Sequence, residues 1–328
     1  MASEQVRSFT VDEEDDGIRL DRWFRRNLPA ATFGIVSRWA RTGQLRLDGK
    51  RAAPGDRIEA GQTIRVPPLD ADKAPARAQP RREPLGEDEI EFVRSLVIYE
   101  DPAAIVVNKP PGLATQGGTK TTHHLDRLLD GLAEPGEPRP KLVHRLDKDT
   151  SGALLLARTP RAAAFFSKAF SGRTARKIYW GIVIGVPAVD DGLIELPLAK
   201  QPGTGGEKMH VDEADGQPSR SRYRVIDRAG NRAAWVELQP YTGRTHQLRV
   251  HMAAIGHPIL GDGKYAGQDA FLTGAISRKL HLHARRLRID HPDGGRIDVV
   301  AGPPDHFGAT LPALGFDAGA GGLPFGGA

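Results

Sequence analysis

The sequence predicts an α+β protein in two parts, a small basic unit over residues 17–68 and a large domain over 95–302 on a mixed, mostly antiparallel sheet. Three observations lead there. Strand-like segments outnumber helical ones. Their order is not a regular strand–helix alternation, which argues against a doubly wound parallel sheet. A stretch rich in Pro, Ala and charge, residues 69–94, reads as a linker between the parts.

In the small unit, Leu20, Trp23, Phe24 and Leu28 fall on one face of a helix that Pro29 ends. Phe33, Val36, Trp39 and Ala40 form a second apolar stripe, closed by Gly43. QLRLDGKRA then reads as a hairpin around Asp48-Gly49, and a strand at Thr63–Val66 completes the unit. The basic residues lie beside the stripes or in the hairpin: Arg19, Arg22, Arg25, Arg26, Arg38, Arg41, Lys50 and Arg51. Residues 17–68 carry 11 basic and 4 acidic side chains, net +7, more than the +5 of the whole chain. The run DEEDD at 12–16 reads as part of a solvated acidic lead-in, residues 1–16.

In the large domain, LVIYE, AAIVVNKP and GALLLA read as strands. Thr159-Pro160 opens a helix with Ala162, Phe165, Phe166, Ala169 and Phe170 on its apolar face. KIYWGIVIG alternates, with Ile178, Trp180, Ile182 and Ile184 on one side and Tyr179 and Val183 on the other. SRYRVI and AAWVELQ are further strands. Residues 303–328, with seven glycines and no Lys or Arg, read as a loosely held tail.

Composition closes several routes. With no cysteine, the chain has no disulfide, thiolate metal site, iron–sulfur cluster or Cys nucleophile. No apolar run approaches the roughly 20 residues of a membrane helix. The opening MASEQVRSFT lacks a signal peptide's apolar core, so the expectation is a cytoplasmic protein with no membrane partner. Of 46 basic residues, 34 are Arg. Arg forks suit phosphate, although a GC-rich genome produces the same bias. His246 and His251 are five apart, His123 and His124 adjacent, and HExxH is absent; no metal site is expected.

The chemistry concentrates in residues 142–157, LVHRLDKDTSGALLLA, a polar loop between apolar ends. A charged turn stitched by its own ion pairs is one reading. The loop of paired-Asp phosphatases is another, but it wants Thr where Ser151 stands and an Asp directly after a buried strand.

HRLD followed by DTSG resembles the RluA-type pseudouridine synthases. NKPPGLATQGG (108–118), Lys177-Ile178-Tyr179, TGRTHQLRVHMAAIGHPILGD (242–262) and LHLHARRL…HPDGG (280–295) resemble that family's other motifs, in its order. RLDRWFRR, GQLRLDGKR and PGDRIEAGQTIRVP resemble the S4 RNA-binding module. The resemblance implies a pseudouridine synthase fold and isomerisation of uridines in 23S rRNA, with no metal, cofactor or nucleotide. It implies that Asp147 is the catalytic carboxylate, paired with Arg244, and that Tyr179 is a catalytic residue that stacks on the base or takes part in proton removal at carbon 5. Three routes suit one carboxylate: attack on the sugar, attack on the base, or abstraction of a sugar proton. Asp149 is the rival and reads as a loop-stabilising side chain.

A uridine must leave its stack to reach Asp147, and Arg145 is expected to fill the space or to hold a phosphate. Lys109, Lys177 and Arg249 are expected at phosphates, and Leu146 and Leu248 at the uracil wall. The competing reading is an S4-tethered RNA-binding assembly factor with idle catalytic machinery. A monomer is expected, since no heptad or apolar seam is visible.

Overall fold

The computed structural model describes residues 6–68, 84–117, 123–134, 136–203 and 208–322. Two compact units divide between Glu83 and Pro84.

The first unit runs β1 (Arg7–Thr10), α1 (Leu20–Asn27), α2 (Phe33–Arg41), β2 (Arg46–Leu47), β3 (Lys50–Arg51) and β4 (Thr63–Val66). Its strands order as β1-β4-β2-β3, antiparallel throughout. Asp48 and Gly49 both have positive φ, 48° and 75°, as the tight hairpin requires. Leu20, Trp23 and Phe24 of α1 pack with Val36, Trp39 and Ala40 of α2 over Ile58, Ile64 and Val66. Phe33 departs from the expected stripe. It opens α2 and is 61% exposed, while Ala31 turns inward instead.

In the acidic stretch Asp12, Glu13, Glu14 and Asp16 are exposed as expected, but the segment around them is ordered and Asp15 is buried. Arg7–Thr10 is an edge strand on β4, and Val11 is buried. Asp15 is buried and accepts from Arg26 Nη1 at 2.8 Å and Asn27 Nδ2 at 3.1 Å. Ordered β pairing and this ion pair draw the segment into the unit. Residues 1–5 of the expected lead-in lie outside the described residues, as do 69–83 of the expected linker.

The second unit runs α3 (Glu87–Ser95), β5 (Val97–Glu100), β6 (Ala104–Lys109), α4 (Leu125–Leu128), β7 (Lys141–Leu142), β8 (Ser151–Ala157), α5 (Pro160–Ser171), β9 (Arg176–Ile184), β10 (Asp191–Glu195), β11 (Leu198–Lys200), β12 (Met209–Val211), β13 (Arg220–Ala229), β14 (Ala233–Pro240), α6 (Gln247–Ala254), α7 (Gly263–Ala266), β15 (Leu282–Asp290), β16 (Arg296–Val300) and α8 (Asp305–Ala313). The main sheet orders as β10-β13-β14-β9-β15-β8-β6-β5, with β16 on β15 and β7 on β8. Its β15–β8 pair is parallel and its other pairs are antiparallel. This is the mixed, mostly antiparallel α+β architecture expected.

Both faces of the central strands are buried. On one face Trp180, Ile182 and Trp235 pack against Phe307, Leu311 and Phe316. On the other, Val183, Val236 and Leu238 pack against Leu248 and Met252 of α6. The residues from 303 are therefore not a loose tail as far as they are described. Each fully buried large apolar side chain contributes about 1.5–3 kcal/mol toward the cost of ordering this glycine-bearing segment. Residues 323–328 lie outside the described residues. The end of the expected linker is also structured: α3 buries Val93, and Arg94 Nε donates to Gly131 O at 3.0 Å.

Candidate active site

The loop carrying Asp147 joins β7 to β8. β8 is buried along its whole length, and its polar approach is held from three sides. Gly152 sits at φ +112°, where a Cβ would lie 2.3 Å from Ala284 O. Only glycine lets β8 lie this close beside β15. Thr115 Oγ1 donates to Leu146 O at 2.7 Å and accepts from Leu146 N at 3.2 Å. His144 Nε2 accepts from Leu155 N at 2.9 Å, with its ring stacked on Phe170 at 4.1 Å. Burial, helped by the Lys177 charge, pushes His144 down to about 3, so the ring is neutral.

Lys109 is the third clamp. Its Nζ is fully buried and donates to Pro110 O (3.0 Å), Leu113 O (2.7 Å) and Lys148 O (3.0 Å). All three donors are taken by carbonyls, so the expected phosphate contact does not hold. Burial pulls this ammonium down to about 7, against the charges of Asp149 and Asp147. Gly118, at the end of the motif that supplies Lys109 and Thr115, lies outside the described residues.

The Asp147 side chain is 29% exposed and lines two adjoining cavities of about 310 and 850 Å³. Leu146 and Arg145 line both, and Arg145 is exposed at the rim. Lys177, Tyr179, Arg244 and Leu248 line the smaller cavity. Asp149 is exposed in the larger one. Burial lowers the Lys177 pKa. Burial, then the Asp147 charge, raises the Tyr179 phenol, which is therefore protonated at neutral pH.

The expected Arg244–Asp147 pair is not formed among the described residues. The turn before α6 explains this. Gln247 Oε1 accepts from Thr242 Oγ1 (2.6 Å) and Arg244 N (3.1 Å), and the Arg244 guanidinium reaches Pro218 O at 3.5 Å instead. The side chain facing Asp147 is His246, with Nε2 3.8 Å from Oδ2. Burial lowers its pKa, while the Asp147 charge opposes the fall.

Arg249 is also placed differently from the expectation at phosphate. It is buried and bidentate to Asp262, at 2.8 and 2.7 Å, under the Tyr265 ring. Burial works against its charge, but the Asp262 hydrogen bond and the charges of Asp262 and Asp147 raise its pKa overall. Arg249 is thus, after Lys109, a second buried cation on which the Asp147 charge acts. Sequence reasoning missed Thr115, His246, Asp262 and Tyr265. An isolated acid in the apolar PILGDG context, 13 residues after Arg249, was the available signal for Asp262.

Two of the other singled-out histidines have structural duties, whereas His123 is exposed. His124 Nδ1 caps α4 by accepting from Arg127 N. His251 is buried between Ser221 Oγ and Leu196 O. Among the described residues no three His, Asp or Glu side chains are grouped to hold a metal, and no helix is long and apolar enough to cross a membrane.

A model of the RNA pseudouridylate synthase family matches residues 103–254. An uncharacterized RNA pseudouridine synthase of Synechocystis sp. is 33% identical over 317 residues, 92% of this chain and 90% of that one. Ribosomal large subunit pseudouridine synthase C of Escherichia coli is 33% identical over 307 residues, 92% and 93% of the two chains. The chain belongs to the RNA pseudouridine synthase family. Human RNA pseudouridylate synthase domain containing 4 has the same fold, with TM-score 0.58 and 28% identity over 69% of this chain and 97% of that structure. This synthase is therefore an isomerase that turns uridine in RNA into pseudouridine, and residues 103–254 include the Asp147 loop, Tyr179 and the whole of α6.

Proposed function

We propose that this synthase modifies uridines of the large ribosomal subunit RNA, with Asp147 as the reacting carboxylate. The observation that carries the site reading is the position of Asp147: half-buried, on a loop clamped by Lys109, Thr115 and His144, at the junction of two cavities. A base that enters the smaller cavity meets Tyr179, Leu146 and Leu248. Tyr179, protonated, offers a ring face and a hydroxyl donor rather than a base. Arg249 supplies the buried positive charge beside the carboxylate, and Arg145 at the rim holds the strand from which the uridine is flipped. Lys177 and Arg244 complete the cationic wall toward the phosphates.

The substrate class rests on the names of relatives such as the Escherichia coli ribosomal large subunit synthase. We read residues 7–68 as an S4 module that adds phosphate-directed, salt-dependent affinity. Arg22, Arg25, Arg38, Arg41 and Lys50 are exposed there, whereas Arg19, Arg26 and Arg51 are engaged by Asp21, by Glu14 and Asp15, and by Ala40 O. The protein acts as a cytoplasmic monomer and uses neither metal nor nucleotide.

The test uses 23S rRNA transcript tritiated at uracil carbon 5, because forming the new C–C bond displaces that hydrogen. Wild type in chelator should release tritium to water and Asp147→Asn should not. Equal release by both would remove Asp147 from the chemistry, and release from transfer RNA alone would remove the ribosomal assignment.

A further inference from the structure

The side chain facing Asp147 belongs to a residue with unusual backbone. His246 has φ 52°, left-handed, in a residue other than glycine, directly before α6. Such conformations cost energy and persist where surrounding contacts over-determine them. Here the contacts come from Tyr265. Its Oη accepts from Met209 N at 3.1 Å and lies 2.7 Å from His246 Nδ1, with the two rings edge to face at 5.6 Å. The phenolic oxygen already accepts a backbone N–H. Among the described residues, the acceptor within reach of its single proton is His246 Nδ1, and we infer that the hydroxyl donates there. Nδ1 is then an acceptor, and the imidazole proton sits on Nε2, the nitrogen 3.8 Å from Asp147 Oδ2.

We propose that Tyr265 and His246 are a positioning pair for Asp147: the tyrosine hydroxyl fixes the imidazole tautomer, so that a neutral Nε2–H donor orients the carboxylate. The proposal rests on the reading that Asp147 reacts. A closing movement of about 1 Å brings the pair to charge-assisted hydrogen-bond distance. Neutrality matters. A neutral donor orients the carboxylate and leaves its negative charge available, whereas an imidazolium would neutralise it. The groups facing the ring are Asp147 from the loop, Arg249 on α6, Lys264 and Tyr265 on α7, and Asp262 before it. Asp147 and Asp262 favour the imidazolium; burial, Arg249 and Lys264 disfavour it, and the net direction is down. The Tyr265 proton on Nδ1 adds to the preference for the neutral ring.

The experiment compares His246→Asn, His246→Gln, Tyr265→Phe and Asp147→Asn with wild type in the full-length protein, by tritium release, with thermal unfolding as the fold control. Asn accepts left-handed backbone more readily than Gln, but it is too short to reach Asp147. Gln carries an amide N–H near the place of Nε2. A purely structural role makes Asn the better replacement; a positioning role makes Gln the better one. We expect His246→Asn to lower kcat at least about 10-fold with KM within about 2-fold, and Gln to recover part of the loss. Tyr265→Phe should lower kcat and move the acid limb of its pH profile upward, because the imidazole then protonates more easily.

Wild-type kcat in His246→Asn, Asn outperforming Gln, or an unmoved pH limb in Tyr265→Phe would overturn the pair. If those results accompany an inactive Asp147→Asn, the catalytic reading survives and the positioning pair alone falls. Full turnover by Asp147→Asn overturns both.

Discussion

Replacing Lys109 with Met separates two jobs that a lysine in this motif could have. Met keeps the stem's bulk and removes the ammonium. Three carbonyls lose a donor, and of these Lys148 O keeps the Gly112 N–H at 2.9 Å. Hydrogen bonds to a charged group are each worth about 1.5–3 kcal/mol, and relief from burying the ammonium offsets part of their sum. The net cost is about 3 kcal/mol. For a unit of this size about 2–4 °C of Tm corresponds to each kcal/mol, so the catalytic unit should melt ~6–12 °C lower. The loop loses its tie to Lys148, and misplacing Asp147 by about 1 Å should reduce kcat on the order of 10- to 100-fold. Calorimetry and tritium release read these two effects. RNA affinity measured across salt concentrations reads the alternative. A phosphate-contacting lysine would leave Tm unchanged and reduce the salt slope by about one when removed. That combination would refute the structural assignment of Lys109.

Acid should destabilise the protein through histidines buried as neutral rings. Burial holds His144 at about 3 and His281 and His283 at about 4. Their folded pKa values lie below the ordinary 6.5, so the unfolded chain binds protons first as pH falls. Stability is therefore complete above about pH 7 and declines through pH 6 toward 4. The three together contribute a loss of ~5 kcal/mol between pH 7 and 5; urea unfolding that is flat over this range would contradict the assignment. Gly152→Ala should cost at least about 3 kcal/mol, because its Cβ meets the Ala284 backbone at 2.3 Å and φ is +112°. A variant melting within about 2 °C of wild type would show that the sheet accommodates the methyl group.

Local rules made much of this chain legible. The hairpin at Asp48-Gly49 follows from two residues that tolerate positive φ. The start of α5 follows from Thr159, whose side chain accepts from Ala162 N, and from Pro160 after it. Period-two alternation marked β9, and the polar loop bounded by apolar strands marked the region of Asp147. The motif order carried the family assignment. These features depend on neighbours in sequence, where backbone sterics and side-chain periodicity act directly.

Tertiary packing decided the rest. Glycine content predicted a loose end, but Phe307, Leu311 and Phe316 found Trp180 and Trp235 on a sheet face that only the assembled fold creates. The DEEDD run is solvated at four of its five acids, but Asp15 turned inward to Arg26 and Asn27 of the first helix. Lys109, Arg244 and Arg249 are equivalent as cations in a sequence. Folding buried the first among carbonyls, turned the second toward Pro218, and locked the third to Asp262. The carboxylates and carbonyls that these three side chains meet lie up to 39 residues away in the chain. Composition and spacing identify such residues as charged; burial and the geometry of their partners determine what the charge does.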